Sequence, residues 1–296
     1  MKLMACASLV AVIIATDLPG AADSVHKVDI GDTVLSYIEQ GRGEPVILIH
    51  GGMQDYRLWL PHMNTLSRHF RVIAYSRRNH YPGVISPEGL PDTAAEVHAN
   101  DLMQLIGALH LGRVHLVAHS SGAHAALFFA AAHPEMLKSL MVNEPPASGL
   151  LAGSPESLEI ARAFGASLEP SRAAFRKGDL AGGVRLFTDA VSGPQAFASR
   201  SRNIREMMMD NAVAHQADAL SQRPRPVFTC DMARRVTAPT LISNGDRSPG
   251  FFHAVTDRLA GCIPHNERLT FHASHTVPLE DQQSYDKAII AWLQRH

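Results

Sequence analysis

The stretch that most constrains this chain is an apolar strand running into a turn of small residues and leaving as an alanine-rich helix. It reads Val114-His115-Leu116-Val117-Ala118-His119-Ser120-Ser121-Gly122-Ala123. In a small-x-Ser-x-Gly turn the strand and helix backbones nearly touch, so the residues two before and two after the serine must be small. Ala118 and Gly122 meet that condition, Ala118 standing where such turns more often carry glycine. The bend lifts the Ser120 hydroxyl above the end of a sheet, where it is placed to act as a nucleophile.

Apolar runs continue the pattern on both sides. Residues 25–30 and 33–39 read as a hairpin turning at Gly31-Asp32. Residues 45–50, 71–75, 114–119, 140–142, 240–243 and 268–271 read as strands, the unbroken apolar ones covered on both faces. Helical periodicity occupies 92–109, 123–133 and 282–294. The alternation predicts an α/β fold, a mainly parallel central sheet wound by right-handed crossovers and flanked by helices. Between 147 and 231 no buried strand is read, only helical segments, clearest at 181–191 and 203–220. The expected organisation is a core of 23–146 and 232–296, with 147–231 inserted as a helical cap. Such an insertion sits over the strand C-termini, where ligands bind in open α/β sheets. Met207-Met208-Met209 within it reads as core filling, the alternative being an adaptable pocket wall.

A length of 296 residues suits one α/β domain with an insertion, and 46% hydrophobic residues supply its core. A net charge of −1 with scattered basic residues argues against nucleic acid and against an anionic membrane surface. Lys2, the apolar run 3–15 and Pro19-Gly20-Ala21-Ala22 read as a secretory signal peptide over 1–22, cleaved after Ala22. The protein is then exported, periplasmic or secreted; as a plain extension the segment leaves it cytoplasmic. The run is too short to span a bilayer of ~30 Å, so no stable membrane insertion is expected. Cys6 leaves with the signal, while Cys230 and Cys262 either pair in an oxidising compartment or stand as free thiols. There is no CxxC and the 17 histidines are dispersed, so no metal and no cofactor are expected.

The other chemical groups fall around Ser120. His50-Gly51-Gly52-Met53 ends the strand 45–50, and the backbone N–H groups of Gly52 and Ser121 are the expected donors to an oxyanion. Met53 follows as a candidate substrate contact. The late loop Phe271-His272-Ala273-Ser274-His275-Thr276 supplies the base, His275 rather than His272.

The motifs HGGM, AHSSG, HPEMLKSLMV, APTLISNGD and ASH, in this order over about residues 25–296, resemble the α/β-hydrolase superfamily and its cap-bearing serine hydrolases. The resemblance implies a Ser-acid-His triad beneath a helical cap and leaves the substrate open. Two departures stand out. Many relatives carry the acid three residues after the glycine of the late strand, but Gly245-Asp246-Arg247-Ser248 places serine there. The acid is then Glu144 of Asn143-Glu144-Pro145-Pro146, as in haloalkane dehalogenases, with Asp246 of a shifted loop as the alternative. The second departure is Tyr75-Ser76-Arg77-Arg78-Asn79-His80-Tyr81-Pro82-Gly83, where relatives show Asp, Arg and several Gly. Arg77, Arg78 and His80 are candidates to face a small-molecule substrate, the alternative being structural roles.

Dehalogenases and epoxide hydrolases of this fold attack with Asp, and the five tyrosines all lie outside the cap segment, so neither reaction is expected. The expected function is hydrolysis of a carboxylic ester or related acyl bond (lactone, thioester, amide) of a small or medium substrate through an acyl-enzyme. The alternatives are a cofactor-free dioxygenase or C–C bond-cleaving enzyme on the same scaffold, or a non-catalytic ligand receptor.

Overall fold

The computed structural model describes residues 24–83, 94–223 and 226–296. The expected signal segment with Cys6, and positions 92 and 93 of the expected helix 92–109, lie outside the described residues. Eight strands build one sheet: β1 His26–Asp29, β2 Val34–Gln40, β3 Pro45–Ile49, β4 Arg71–Ser76, β5 Val114–His119, β6 Leu137–Asn143, β7 Thr240–Gly245 and β8 Asn266–Phe271. Their order is β1-β2-β4-β3-β5-β6-β7-β8. β2 pairs antiparallel with both β1 and β4, and every pairing from β4 to β8 is parallel.

The helices are α1 Leu60–Leu66, α2 Ala95–Ala108, α3 Ser121–Ala132, α4 Pro155–Ser167, α5 Glu169–Arg176, α6 Leu180–Ser192 and α7 Ala196–Ser199. They continue as α8 Arg202–Asp210, α9 Ala212–Leu220, α10 Cys230–Ala233, α11 Gly250–Ala260, α12 Val277–Glu280 and α13 Gln282–Leu293.

The central strands are buried on both faces because alternate residues serve opposite layers. Ile47, Ile49, Leu116 and Ala118 pack with Leu105 of α2, Phe129 of α3 and Leu259 of α11. Val46, Leu48 and Val117 pack with Met63 of α1 and with Ile289 and Trp292 of α13. Each such aliphatic side chain contributes about 1.5–3 kcal/mol on burial. The sheet's edge is blunted at β1, only four residues long and exposing His26, Lys27 and Asp29.

β6 runs beyond the expected 140–142. Ser139 interrupts the apolar run in sequence, but its hydroxyl is satisfied by His115 Nδ1 at 2.8 Å, so the strand continues through it. The single helix expected over 203–220 is two, α8 and α9, parted at Asn211. That side chain donates to Asp55 Oδ2 at 2.7 Å and to the Met207 carbonyl at 2.8 Å, and accepts from the Tyr81 N–H at 2.8 Å. An asparagine that recruits partners outside its own helix favours an end over an interior position. Cys230 and Cys262 form a disulfide, joining α10 to the turn after α11. No helix among the described residues is long and apolar enough to cross a membrane.

Candidate active site

Ser120 sits between β5 and α3 with φ 53° and ψ −124°. A Cβ on Gly122 would lie 2.3 Å from the His50 carbonyl oxygen, so only glycine lets α3 leave this close to β3. The Ser120 N–H donates to the Asn143 carbonyl at 2.8 Å, which pins the bend to the end of β6. Met53 (φ 54°) and Glu144 (φ 48°) also hold positive φ, so half of the six such non-glycine residues described surround one point. Each costs roughly 1–3 kcal/mol, and strain of this kind gathers at functional sites.

Three side chains from separate loops meet here. The Ser120 hydroxyl donates to His275 Nε2 at 2.9 Å, and His275 Nδ1–H donates to Glu144 Oε2 at 2.5 Å. Glu144 is fully buried, and its other oxygen accepts from the Gly245 N–H at 2.7 Å. Gly245 is required by the late loop, since a Cβ there would lie 2.3 Å from the Ala273 carbonyl oxygen. Phe252 of α11 stacks on the His275 ring, centroids 4.1 Å apart and planes at 19°. A hydroxyl bonded to an imidazole whose far nitrogen meets a carboxylate can surrender its proton without leaving the imidazolium unpaired.

Asp246 lies elsewhere. It accepts from His272 Nδ1 at 2.7 Å on the surface, where its carboxyl is held below the usual carboxylate range by that bond. Thus His275 and Glu144 come together at Ser120, while His272 and Asp246 form their own exposed pair.

Beside Ser120 the loop after β3 is braced from beneath. Arg77, buried, donates from Nη2 to the Gly51 carbonyl at 2.9 Å and to Ser121 Oγ at 3.0 Å. His50 Nδ1–H donates to the same carbonyl at 2.8 Å, and its Nε2 accepts from the Arg77 N–H at 3.0 Å. Burial pushes the Arg77 guanidinium down to about 10, so it remains a cation at neutral pH. Burial, with the Arg77 charge second, pushes His80 down to about 3 and holds His50 well below the histidine range. Both imidazoles are therefore neutral and act as hydrogen-bonding struts.

A cavity of about 440 Å³, counting the part open to solvent, lies over Ser120. Gly52, Met53, Ser120 and His275 line it from the strand ends; Phe187, Arg200, Met207 and Met208 line it from the segment between β6 and β7. Met53 therefore lies where the sequence suggests. The expectation that Arg77, Arg78 or His80 faces the substrate is corrected: none of them lines the cavity. Arg78 is spent on Asp101, through Nε at 2.6 Å, and on Asp32 at 3.1 Å. His80 Nδ1–H is taken by the Arg78 carbonyl at 2.9 Å. Both methionine readings hold together, since Met207 and Met208 are buried core residues and wall residues at once.

Three groups escaped the sequence reading. His119, next to Ser120, lines the cavity, bonds Asn143 Oδ1 through Nδ1 at 2.8 Å and lies 5.0 Å from the His275 ring. Burial keeps it well below the histidine range, helped by His275 and Arg200, so it too is neutral. Phe252 and Arg200 carry no local signal: one is an apolar residue in an amphipathic helix, the other one of 27 basic residues.

The chain belongs to the α/β hydrolase fold family, which it matches across residues 44–282. It is 31% identical over 118 residues to a fluoroacetate dehalogenase from a Burkholderia species, covering 39% of this chain and 38% of that one. The chain spans about two fifths of the length of the first curated relatives it matches. A thermophilic esterase from Thermogutta terrifontis superposes with a TM-score of 0.70 at 23% identity, covering 92% of this chain and 98% of that one. The enol-lactonase from Burkholderia xenovorans LB400 gives 0.69 at 18% identity, covering 91% and 100%. These two likenesses concern the fold.

Proposed function

We propose that this protein is a serine hydrolase cleaving a carboxylic ester or a related acyl bond of a small or medium substrate. The observation that carries the reading is the bonded series Ser120–His275–Glu144, whose first two members lie on the cavity floor. Ser120 Oγ attacks the acyl carbon as His275 Nε2 takes its proton, and Glu144 stabilises the imidazolium. The tetrahedral oxyanion is held by the N–H groups of Gly52 and Ser121, each such donor being worth roughly 3 kcal/mol. His275 then protonates the departing alcohol, leaving an acyl-enzyme. A water, deprotonated by His275, releases the acid and restores Ser120.

Arg77 is a positioning residue in this scheme. The Gly51 carbonyl it binds and the Gly52 N–H belong to one planar peptide unit, so fixing the oxygen aims the N–H the opposite way. A cation on that oxygen also strengthens the N–H as a donor.

Residues 147–231 act as a cap supplying the upper wall, consistent with Phe187, Met207 and Met208 over Ser120. The Cys230–Cys262 disulfide fits an exported protein in an oxidising compartment. The relatives include an esterase and a lactonase by name, both acting on acyl bonds. The test is p-nitrophenyl acetate hydrolysis together with labelling by a fluorophosphonate probe. Both are expected in the native protein and lost in Ser120→Ala; turnover that survives the substitution discards the mechanism.

A further inference from the structure

Arg200 is the one fully charged side chain among the described residues lining the cavity. The rest of the upper wall is apolar apart from the hydroxyls of Thr188 and Ser192, and His119 and Gln54 on the floor are neutral. Arg200 stands between α7 and α8 with 12% of its side chain exposed. Its Nη2 donates to Thr276 Oγ1 at 3.0 Å and to Glu280 Oε1 at 2.8 Å. Both bonds leave from one nitrogen, so among the described residues Nη1 and Nε are uncommitted.

Glu280 does not cancel this charge. Its carboxylate is shared with the Ser274 N–H at 2.7 Å, the Ser274 hydroxyl at 2.5 Å and the Arg247 guanidinium at 3.5 Å. Arg200 therefore shares the Glu280 carboxylate with a second guanidinium and does not hold it alone. Its charge is felt inside the site, for Arg200 is among the groups depressing His119. Thr276 directly follows His275, and Ser192 Oγ lies 3.1 Å from Thr276 Oγ1, so a polar corner adjoins the reacting groups.

We propose that Arg200 is the anion-recognising residue of this cavity, and that the substrate is an acyl compound carrying a carboxylate a few bonds from the scissile carbonyl. This rests on the assignment of Ser120 above. An anion entering an apolar cavity loses hydration, and a planar guanidinium edge returns it as two parallel hydrogen bonds to a carboxylate. A guanidinium edge can hold phosphate in the same bidentate way, so inorganic phosphate is the competing anion in the test.

The test pairs each anionic ester with a neutral isostere bearing isopropyl in place of carboxylate. Monoethyl succinate is set against ethyl 4-methylpentanoate, and 3-acetoxypropanoate against isopentyl acetate, which places the charge on the acyl and on the alcohol side. At least one anionic ester is expected to exceed its partner in kcat/KM by about ten-fold or more. Arg200→Met should collapse that ratio by about ten-fold, and Arg200→Lys should restore part of it. A native preference for the neutral partner in both pairs, or a ratio indifferent to Arg200→Met, overturns the proposal. Calorimetric binding of monoethyl succinate and of 3-acetoxypropanoate to Ser120→Ala separates this idea from the hydrolase reading, because it needs no turnover. Binding lost on adding Arg200→Met supports the carboxylate site even where neither ester is cleaved. Binding of neither ester, unchanged binding in the double variant, or stronger competition by inorganic phosphate than by succinate refutes it.

Discussion

The two walls of the cavity are built on different principles. The lower wall, with Gly52 and Ser120, hangs from the ends of β3 and β5, central parallel strands paired on both sides. His275 reaches it from the loop after the edge strand β8, backed by Glu144 at the end of β6. Ser120 and Glu144 hold positive φ, His275 and Glu144 share a short hydrogen bond, and Glu144 is wholly buried. The upper wall, with Phe187, Arg200, Met207 and Met208, comes from amphipathic helices held by side-chain packing and a few polar ties such as Asn211 to Asp55. Chemistry demands fixed geometry, and the proposed triad lies on the wall tied to the sheet; fit to a substrate tolerates adjustment, and the proposed specificity residues lie on the packed one.

That contrast breaks most visibly at Ser120. Ser120→Ala is expected to lower kcat by about 10⁴-fold or more in an ester hydrolysis assay, and a small loss removes the lower wall's special status. Next is Glu144→Gln, which keeps shape but removes charge and should cost about 10³–10⁴-fold. Asp246→Asn, on the exposed pair, should leave kcat within about twofold. A larger loss in Asp246→Asn than in Glu144→Gln reverses the assignment of the acid.

Arg77→Met probes the brace beneath the lower wall. It is expected to reduce kcat about 10- to 100-fold with little change in KM, and Arg77→Lys to recover part of it. A loss confined to KM or to folding yield identifies Arg77 as merely structural. On the upper wall, Met207→Ala should raise KM severalfold with a smaller effect on kcat, and destabilise by about 2–3 kcal/mol through the cavity it leaves. A fall in kcat with KM unchanged contradicts the division between the walls.

The smallest effect concerns pH. His80 is pushed down to about 3 in the folded protein against about 6.5 in an unfolded chain. The unfolded state therefore binds more protons between these values, so the stability is full above about pH 6.5 and falls as pH drops toward about 3. His50, His98 and His119 are depressed in the same direction. Urea unfolding followed between about pH 7 and 5 should show this slope, and His80→Gln should flatten it by up to one proton. An unaltered slope shows that His80 is accessible to protonation in the fold.

Much of the lower wall is legible in the sequence, because local rules write it into short motifs. A strand ending in Ala118-His119-Ser120-Ser121-Gly122 announces a sharp bend; His50-Gly51-Gly52 announces a turn of exposed amides; a histidine late in the chain announces a base. The helical insertion was legible as the absence of buried strands over 147–231. Less was legible where one residue does two jobs. Asn211 breaks a helix only because Asp55 and Tyr81, far away in sequence, take up its amide.

By itself, then, the order of residues decided the sheet, the bend at Ser120 and the candidate base, since each depends on contacts within a few residues or on apolar periodicity. The tertiary structure decided between Glu144 and Asp246 as the partner of His275, that Cys230 and Cys262 join, and that Arg200 rather than Arg78 or His80 enters the cavity. Those outcomes turn on where distant loops converge. Arg77, Arg78 and Arg200 are one residue type in sequence and three different objects in space: a brace, an ion pair and a cavity cation.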